Sequence, residues 1–157
     1  MLKKYLFIFF LSMVPIIELR GAIPFAVNWE LNYWTSLTVC AIGNMLPVPF
    51  IYFFARKILH WGADKQYIGK FFRFCIEKGE RGGQKLMKRA GRGGLFVALM
   101  LFVGIPVPGT GAWTGTLAAS FLNMGIRSTV TAVSLGVVIA GIIMGVASTG
   151  VFSIFGI

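Results

Sequence analysis

Acidic residues are scarce in this chain: five Asp and Glu against fifteen Lys and Arg in 157 residues, with one histidine and two cysteines. The lone His60 has no second His or Cys at metal-ligand spacing, which argues against a metal site. Cys40 lies in an apolar stretch and Cys75 in a basic one, so no disulfide framework is implied and both read as small packing residues. No Walker loop, dinucleotide fingerprint or nucleophile–base pair is present. Nucleotide-driven work and enzymatic catalysis are therefore not indicated, and no cofactor is expected. Charge of any kind is rare, at 13% of residues against 57% hydrophobic, and the mean hydropathy is +0.80. Soluble globular behaviour is a poor match to these values, and one small all-α integral membrane domain is a good one.

What charge there is sits together. Eleven of the fifteen basic residues fall between Arg56 and Arg92, offset there only by Asp64, Glu77 and Glu80. Bracketed by apolar stretches, this block fits a cytoplasmic loop obeying the positive-inside rule far better than a nucleic-acid surface. It divides the chain into a first repeat (1–55), a basic loop (56–92) and a second repeat (93–157). Within the loop, Asp64–Lys78 puts Ile68, Phe71, Phe72 and Cys75 on one helical face, predicting a helix lying on the inner leaflet. The following KGERGGQKLMKRAGRGG reads as a flexible tether. Basic groups here would favour anionic membrane lipid by about 1 kcal/mol each. The start, MLKKYLFIFFLSMVP, resembles a signal peptide but has no small-x-small cleavage site before Glu18, so it is expected to be retained.

Four uncharged stretches remain: Tyr5–Ile17, Leu31–Ala55, Gly93–Ile126 and Ser128–Ile157. A crossing helix needs about 20 apolar residues, which Tyr33–Ala55 and Ser128–Ile157 supply and Tyr5–Ile17 does not. The third is too long for one crossing and is broken by GIPVPGTGAWTG, residues 104–115. Pro15 and Pro24 flank a predicted turn at Glu18–Gly21, with helix resuming around Ile23–Trp29. Unpaired backbone groups facing lipid cost several kcal/mol each, so both breaks must be enclosed in protein or line a wet cavity. The two halves then read alike. Each is a re-entrant helical hairpin (Tyr5–Trp29, Leu95–Asn123) followed by a transmembrane helix, an inverted repeat of the kind that sets a transport site at the midplane. Lys3 and Lys4 count against that orientation, and four plain crossings with both termini inside is the rival. Trp29, Tyr33 and Trp34 on one side, with Trp61 and Tyr67 on the other, suit interfacial belts in either case.

Two charges fall at the first break. Glu18 and Arg20 sit where a charge costs roughly 2.5–3.5 kcal/mol, and such residues usually mark substrate or ion paths. Interfacial neutralisation, or capping of the broken helix's carbonyls by Arg20, is the bland alternative. Arg20 could clamp a phosphate with its fork, aided by the N-terminus of the resumed helix near Ile23, between Gly21 and Pro24, while Glu18 is a candidate proton carrier. At the second break, Pro106, Pro108, Gly109, Thr110, Gly111, Trp113 and Thr114 offer amides, hydroxyls and an indole to a ligand, with a structural break as the equal alternative. Asn44, near Pro47 and Pro49, either lines the path or satisfies a carbonyl freed by the kink. Gly141 and Gly145 form a GxxxG pattern suited to close helix packing or a homodimer.

ELRGAIPFA together with PVPGTGAWTG resembles the small multi-drug export protein family over nearly the whole chain. More distantly, the plan is similar to the DedA superfamily. That resemblance implies two facing re-entrant hairpins and movement of polyprenyl phosphate or other lipids, in some members coupled to protons. Glu18 would match the acidic residue of the first DedA hairpin. Where the second typically carries arginine, Pro108, Gly109, Thr110 and Gly111 stand here, and Arg20 would supply the charge instead. The leading expectation is a small secondary transporter in the cell membrane, of lipid-phosphate flippase type. Export of amphipathic cations, with Glu18 as counter-charge, and a non-transporting membrane scaffold are the alternatives.

Overall fold

Prolines and glycines set most of the helix ends. In a computed structural model, which describes residues 1–65, 69–107 and 110–155, seven helices follow one another: α1 (Leu2–Met13), α2 (Glu18–Asn28), α3 (Tyr33–Met45), α4 (Val48–Ala63), α5 (Gly69–Gly104), α6 (Ala112–Phe121) and α7 (Ile126–Phe155). No strand occurs among the described residues. α1 stops because Pro15 forces the preceding Val14 to be extended, with ψ 128°. Asn32 opens α3 by accepting the Thr35 N–H at 3.1 Å. Pro47 and Pro49 occupy the start of α4, where a missing N–H costs nothing. Among the described residues, two stretches are long and apolar enough to cross a membrane, Tyr33–Ala63 and Ile126–Gly150.

Three expectations need correction. The first break lies at residues 14–17 rather than at Glu18–Gly21, and α2 starts at Glu18 instead of near Ile23. Pro15 has already reversed the chain by Glu18, whose N–H bonds Val14 O at 2.9 Å. Pro24 sits inside α2, where it forfeits a single backbone bond. The span expected at Tyr33–Ala55 continues to Ala63, with its turn at Leu46–Pro47. The expected tether is helical: α5 runs through it with one non-helical residue, Gly91 (φ 66°, ψ −176°). Its Lys, Arg, Gln, Leu and Met are strong helix formers, and Gly91 takes the left-handed φ at no steric cost. Tyr67 and Ile68 lie outside the described residues, as do the side chains of Phe72 and Cys75.

α1 and α2 form an antiparallel hairpin. Phe7 packs on Phe25 and Trp29 with ring centroids 6.2 and 5.3 Å apart, and Lys4 Nζ lies 5.7 Å from the Trp29 ring centre. The end of α5 and α6 form a second hairpin, in which Gly115 faces Val103 and Leu99. α2 packs against α7 and α6 against α4. α3 and α7 run antiparallel, since Tyr33 Oη donates to Gly141 O at 3.1 Å while Met45 meets Ser134 near the other end.

Both hairpins end alike. Glu30 (φ 54°) and Asn123 (φ 57°) take the left-handed conformation, and Leu31 and Met124 close Schellman turns through N–H bonds of 3.0 Å to Ala26 O and Ala119 O. The same shift of 93 residues, Glu30 to Asn123, relates Gly43 to Gly136. Each of these glycines presses its span onto the first arm of its own hairpin. A Cβ at Gly43 would stand 2.6 Å from Phe9 O, and one at Gly136 2.7 Å from Met100 O. Gly141 and Gly145 likewise pack inside the chain, against Leu37 and the Tyr33 ring, so the GxxxG surface is used internally.

Candidate functional site

The two hairpins meet tip to tip. Glu18 is the first residue of α2 and takes φ 51°, a left-handed conformation that costs a non-glycine residue about 1–3 kcal/mol. That turn directs its side chain into the protein, where it is 5% exposed. The carboxylate lies at the N-terminus of α6, and Oε1 accepts the Trp113 N–H at 3.2 Å. A negative charge at that end is favoured by the helix dipole and its free amides. Close approach needs Gly111, because a Cβ there would overlap Oε2 and stand 2.6 Å from Oε1.

Arg20, two residues on, holds the other end of the same break. Its Nη1 donates to Val107 O at 2.5 Å, and Nη2 donates to Val103 O at 2.9 Å and Ile105 O at 3.2 Å. These are carbonyls at the end of α5 and just beyond it, where a cation complements the dipole. One hairpin thus lends an acid to the helix that starts after the other's break and a base to the helix that stops before it. The Trp113 indole N–H returns the contact by donating to Met13 O at 3.2 Å. Thr110 Oγ1 closes the second loop on itself through Ile105 O and Val107 O, at 2.9 and 2.8 Å.

Between the tips lies an open cavity of about 790 Å³. Glu18, Arg20, Gly21, Pro106, Thr110, Trp113 and Thr114, all candidates from the sequence, line it. Pro24 is within α2 and does not line it. Pro108 and Gly109 lie outside the described residues. Gly111 and Asn44 stand behind the cavity, around a separate small void with Glu18. Sequence reasoning missed Ile16, Leu117 and Met144 on the wall. Met144 comes from α7, 126 positions after Glu18, and nothing in its sequence neighbourhood signals that approach.

The N-terminus of α6 holds the Glu18 carboxylate, and the terminal nitrogens of Arg20 are engaged by backbone carbonyls. Arg20 does cap a broken helix, but that of the other hairpin.

The sequence model of the family described as "Putative small multi-drug export protein" matches residues 18–143, from Glu18 through nearly all of the candidate site. The chain belongs to this family. No curated protein and no solved structure matches the chain. For a member of the small multi-drug export family, the exposed apolar residues take on meaning: Phe50, Phe53 and Phe54 on α4, with Ile142 and Val146 on α7, are each at least 44% exposed. A surface of that kind suits lipid better than water, in line with the two stretches able to cross a membrane.

Proposed function

We propose that this chain is a multi-pass exporter of amphipathic organic cations in the cell membrane, with the cavity between the hairpin tips as its binding pocket. The observation that carries the reading is the engagement of Arg20 by three carbonyls. With the base committed to holding α5, Glu18 is the charged group at the cavity whose partner is an amide. About 790 Å³ lies within the range of small-molecule pockets. The Trp113 ring, held by its N–H bond to Met13 O, offers a face to a cation, and Ile16, Leu117 and Met144 offer apolar wall.

The architecture behind this reading is an inverted repeat. α1 has 12 residues and α6 has 10, each too short for a crossing, so each hairpin re-enters on its own side. Support comes from the antiparallel arms, the tip-to-tip contact, and the matching Schellman turns and glycine crossings 93 residues apart. The basic stretch of α5 extends from the base of the second hairpin, which by the positive-inside rule is the cytoplasmic side. The site then lies near the midplane, where two discontinuous helices meet.

Purified protein in liposomes, loaded with a fluorescent amphipathic cation, tests the proposal. Efflux is expected in the wild type, with at least a tenfold loss in both Glu18→Gln and Trp113→Ala. Equal rates in all three proteins would overturn it. Transbilayer movement of a phosphate-bearing lipid in the same liposomes, without cation efflux, would overturn it in favour of the lipid-phosphate reading.

A further inference from the structure

Behind the tips, separate from the large cavity, is a void of about 10 Å³ bordered by Glu18, Arg20, Asn44, Gly111 and Ala112, with otherwise apolar walls. That is room for one water and little else. Asn44, on α3, is 2% exposed, and among the described residues its Oδ1 has no hydrogen-bond partner. Buried amide oxygens are nearly always paired. An orphaned acceptor bordering the same small void as a carboxylate calls for a donor hydrogen between them, from a water or from a proton on the carboxylate.

A metal ion fits this void poorly. Calcium takes six to eight oxygen ligands and magnesium needs a full octahedron, whereas the side chains here supply one carboxylate and one amide oxygen beside a guanidinium. A proton needs only the two oxygens. We propose that the void is a proton-binding site, in which a proton carried by Glu18 is hydrogen-bonded to Asn44 Oδ1, directly or across a single water. This deepens the export reading by naming the coupling ion.

The same site couples the proton to the hairpin contact. As a carboxylate, Glu18 is the favoured partner of the α6 N-terminus, and it accepts the Trp113 N–H. When a proton adds to one of its oxygens, the charge that α6 favours is lost. The new O–H has its acceptor on α3, so Glu18 exchanges a bond to one hairpin tip for a bond to a span. Release of the proton regenerates the carboxylate and the latch. Among the described residues, Arg20 is the one other charged group at the void, and the carbonyls of Val103, Ile105 and Val107 hold it. α3 brings Tyr33 and Cys40, which donate instead to Gly141 O and Ile8 O. The charges of α1, Lys3 and Lys4, belong to its first turn, with Lys4 over the Trp29 ring at the hairpin base, and Arg92 and Arg127 of α5 and α7 sit at the base of the second hairpin. α6 carries no charged residue.

Infrared difference spectra of the full chain in liposomes, titrated with acid and no transported substrate, read the site. A protonated-carboxyl C=O band is expected in the wild type and absent in Glu18→Gln. In Asn44→Leu and Asn44→Ala the band should shift in frequency and the site should bind its proton about tenfold more weakly. Exchanging sodium for choline should change nothing. Protection factors of the amides in the first turn of α6, which allow for the slower intrinsic exchange in acid, should fall on acidification in the wild type and not in Glu18→Gln. Absence of the band in the wild type, its survival in Glu18→Gln, indifference to both Asn44 variants or dependence on sodium would each overturn the proposal. Failed dye efflux alone would count against the export reading and leave the proton site standing.

Discussion

Replacing Gly111 by alanine isolates the contact on which the hairpin tips depend. The backbone at Gly111 has φ 162°, extended and open to any residue, so alanine carries little conformational penalty. The added Cβ would instead overlap Glu18 Oε2 and stand 2.6 Å from Oε1 and Cδ. The carboxylate must leave the N-terminus of α6, giving up a charge-assisted bond to the Trp113 N–H and its favourable place in the helix dipole. Together these are worth about 2–4 kcal/mol. Unfolding in mixed micelles with increasing dodecyl sulfate, followed by helical circular dichroism, measures the loss. Repeating Gly111→Ala in a Glu18→Ala background closes a double-mutant cycle. With the carboxylate gone the new methyl has room, so the substitution should cost under about 1 kcal/mol there. If Gly111→Ala costs as much without Glu18 as with it, the two residues do not meet and the tip-to-tip site is refuted.

Other substitutions follow from the same contacts. Arg20→Lys keeps the charge but offers no fork to span the carbonyls of Val103, Ile105 and Val107; a loss of about 1.5–3 kcal/mol is expected, together with faster amide exchange at Ile105 and Val107. Gly43→Ala and Gly136→Ala should destabilise by similar amounts, about 1–3 kcal/mol each, because both drive a methyl into a carbonyl of the facing helix. Unfolding midpoints check this, and a neutral result at either glycine would refute the close contact assigned to it. Gly145→Ala meets the Tyr33 ring and should destabilise, whereas Gly150→Ala enters open space and should be neutral or stabilising by up to about 1 kcal/mol.

Composition and charge placement alone determined that the chain is helical and apolar, with its basic residues gathered between two halves. Proline and glycine clusters marked both breaks, because a residue that lacks an N–H or a Cβ changes what the backbone can do wherever it sits. The first break lies earlier than the sequence suggests, for a related reason. Pro15 and Pro24 both disrupt hydrogen bonding, and only the packing of α2 against α1, α3 and α7 decides that Pro24 is absorbed within a helix. The basic stretch of α5 is helical although its glycines suggest a tether, because its Lys, Arg and Leu residues favour helix and prevail everywhere except at Gly91.

Glu18 and Arg20 could be singled out from sequence because buried charge is costly and therefore needs a reason. Their partners could not. The carbonyls of α5, the amide of Trp113 and the oxygen of Asn44 belong to groups present in almost every residue or to an ordinary polar side chain, and carry no sequence signature. Only the tertiary structure decides that the acid of one hairpin ends at the start of α6 while its base ends at the close of α5. Helix termini expose unpaired N–H and C=O groups at fixed points in space, and which charge reaches them depends on how separate helices pack.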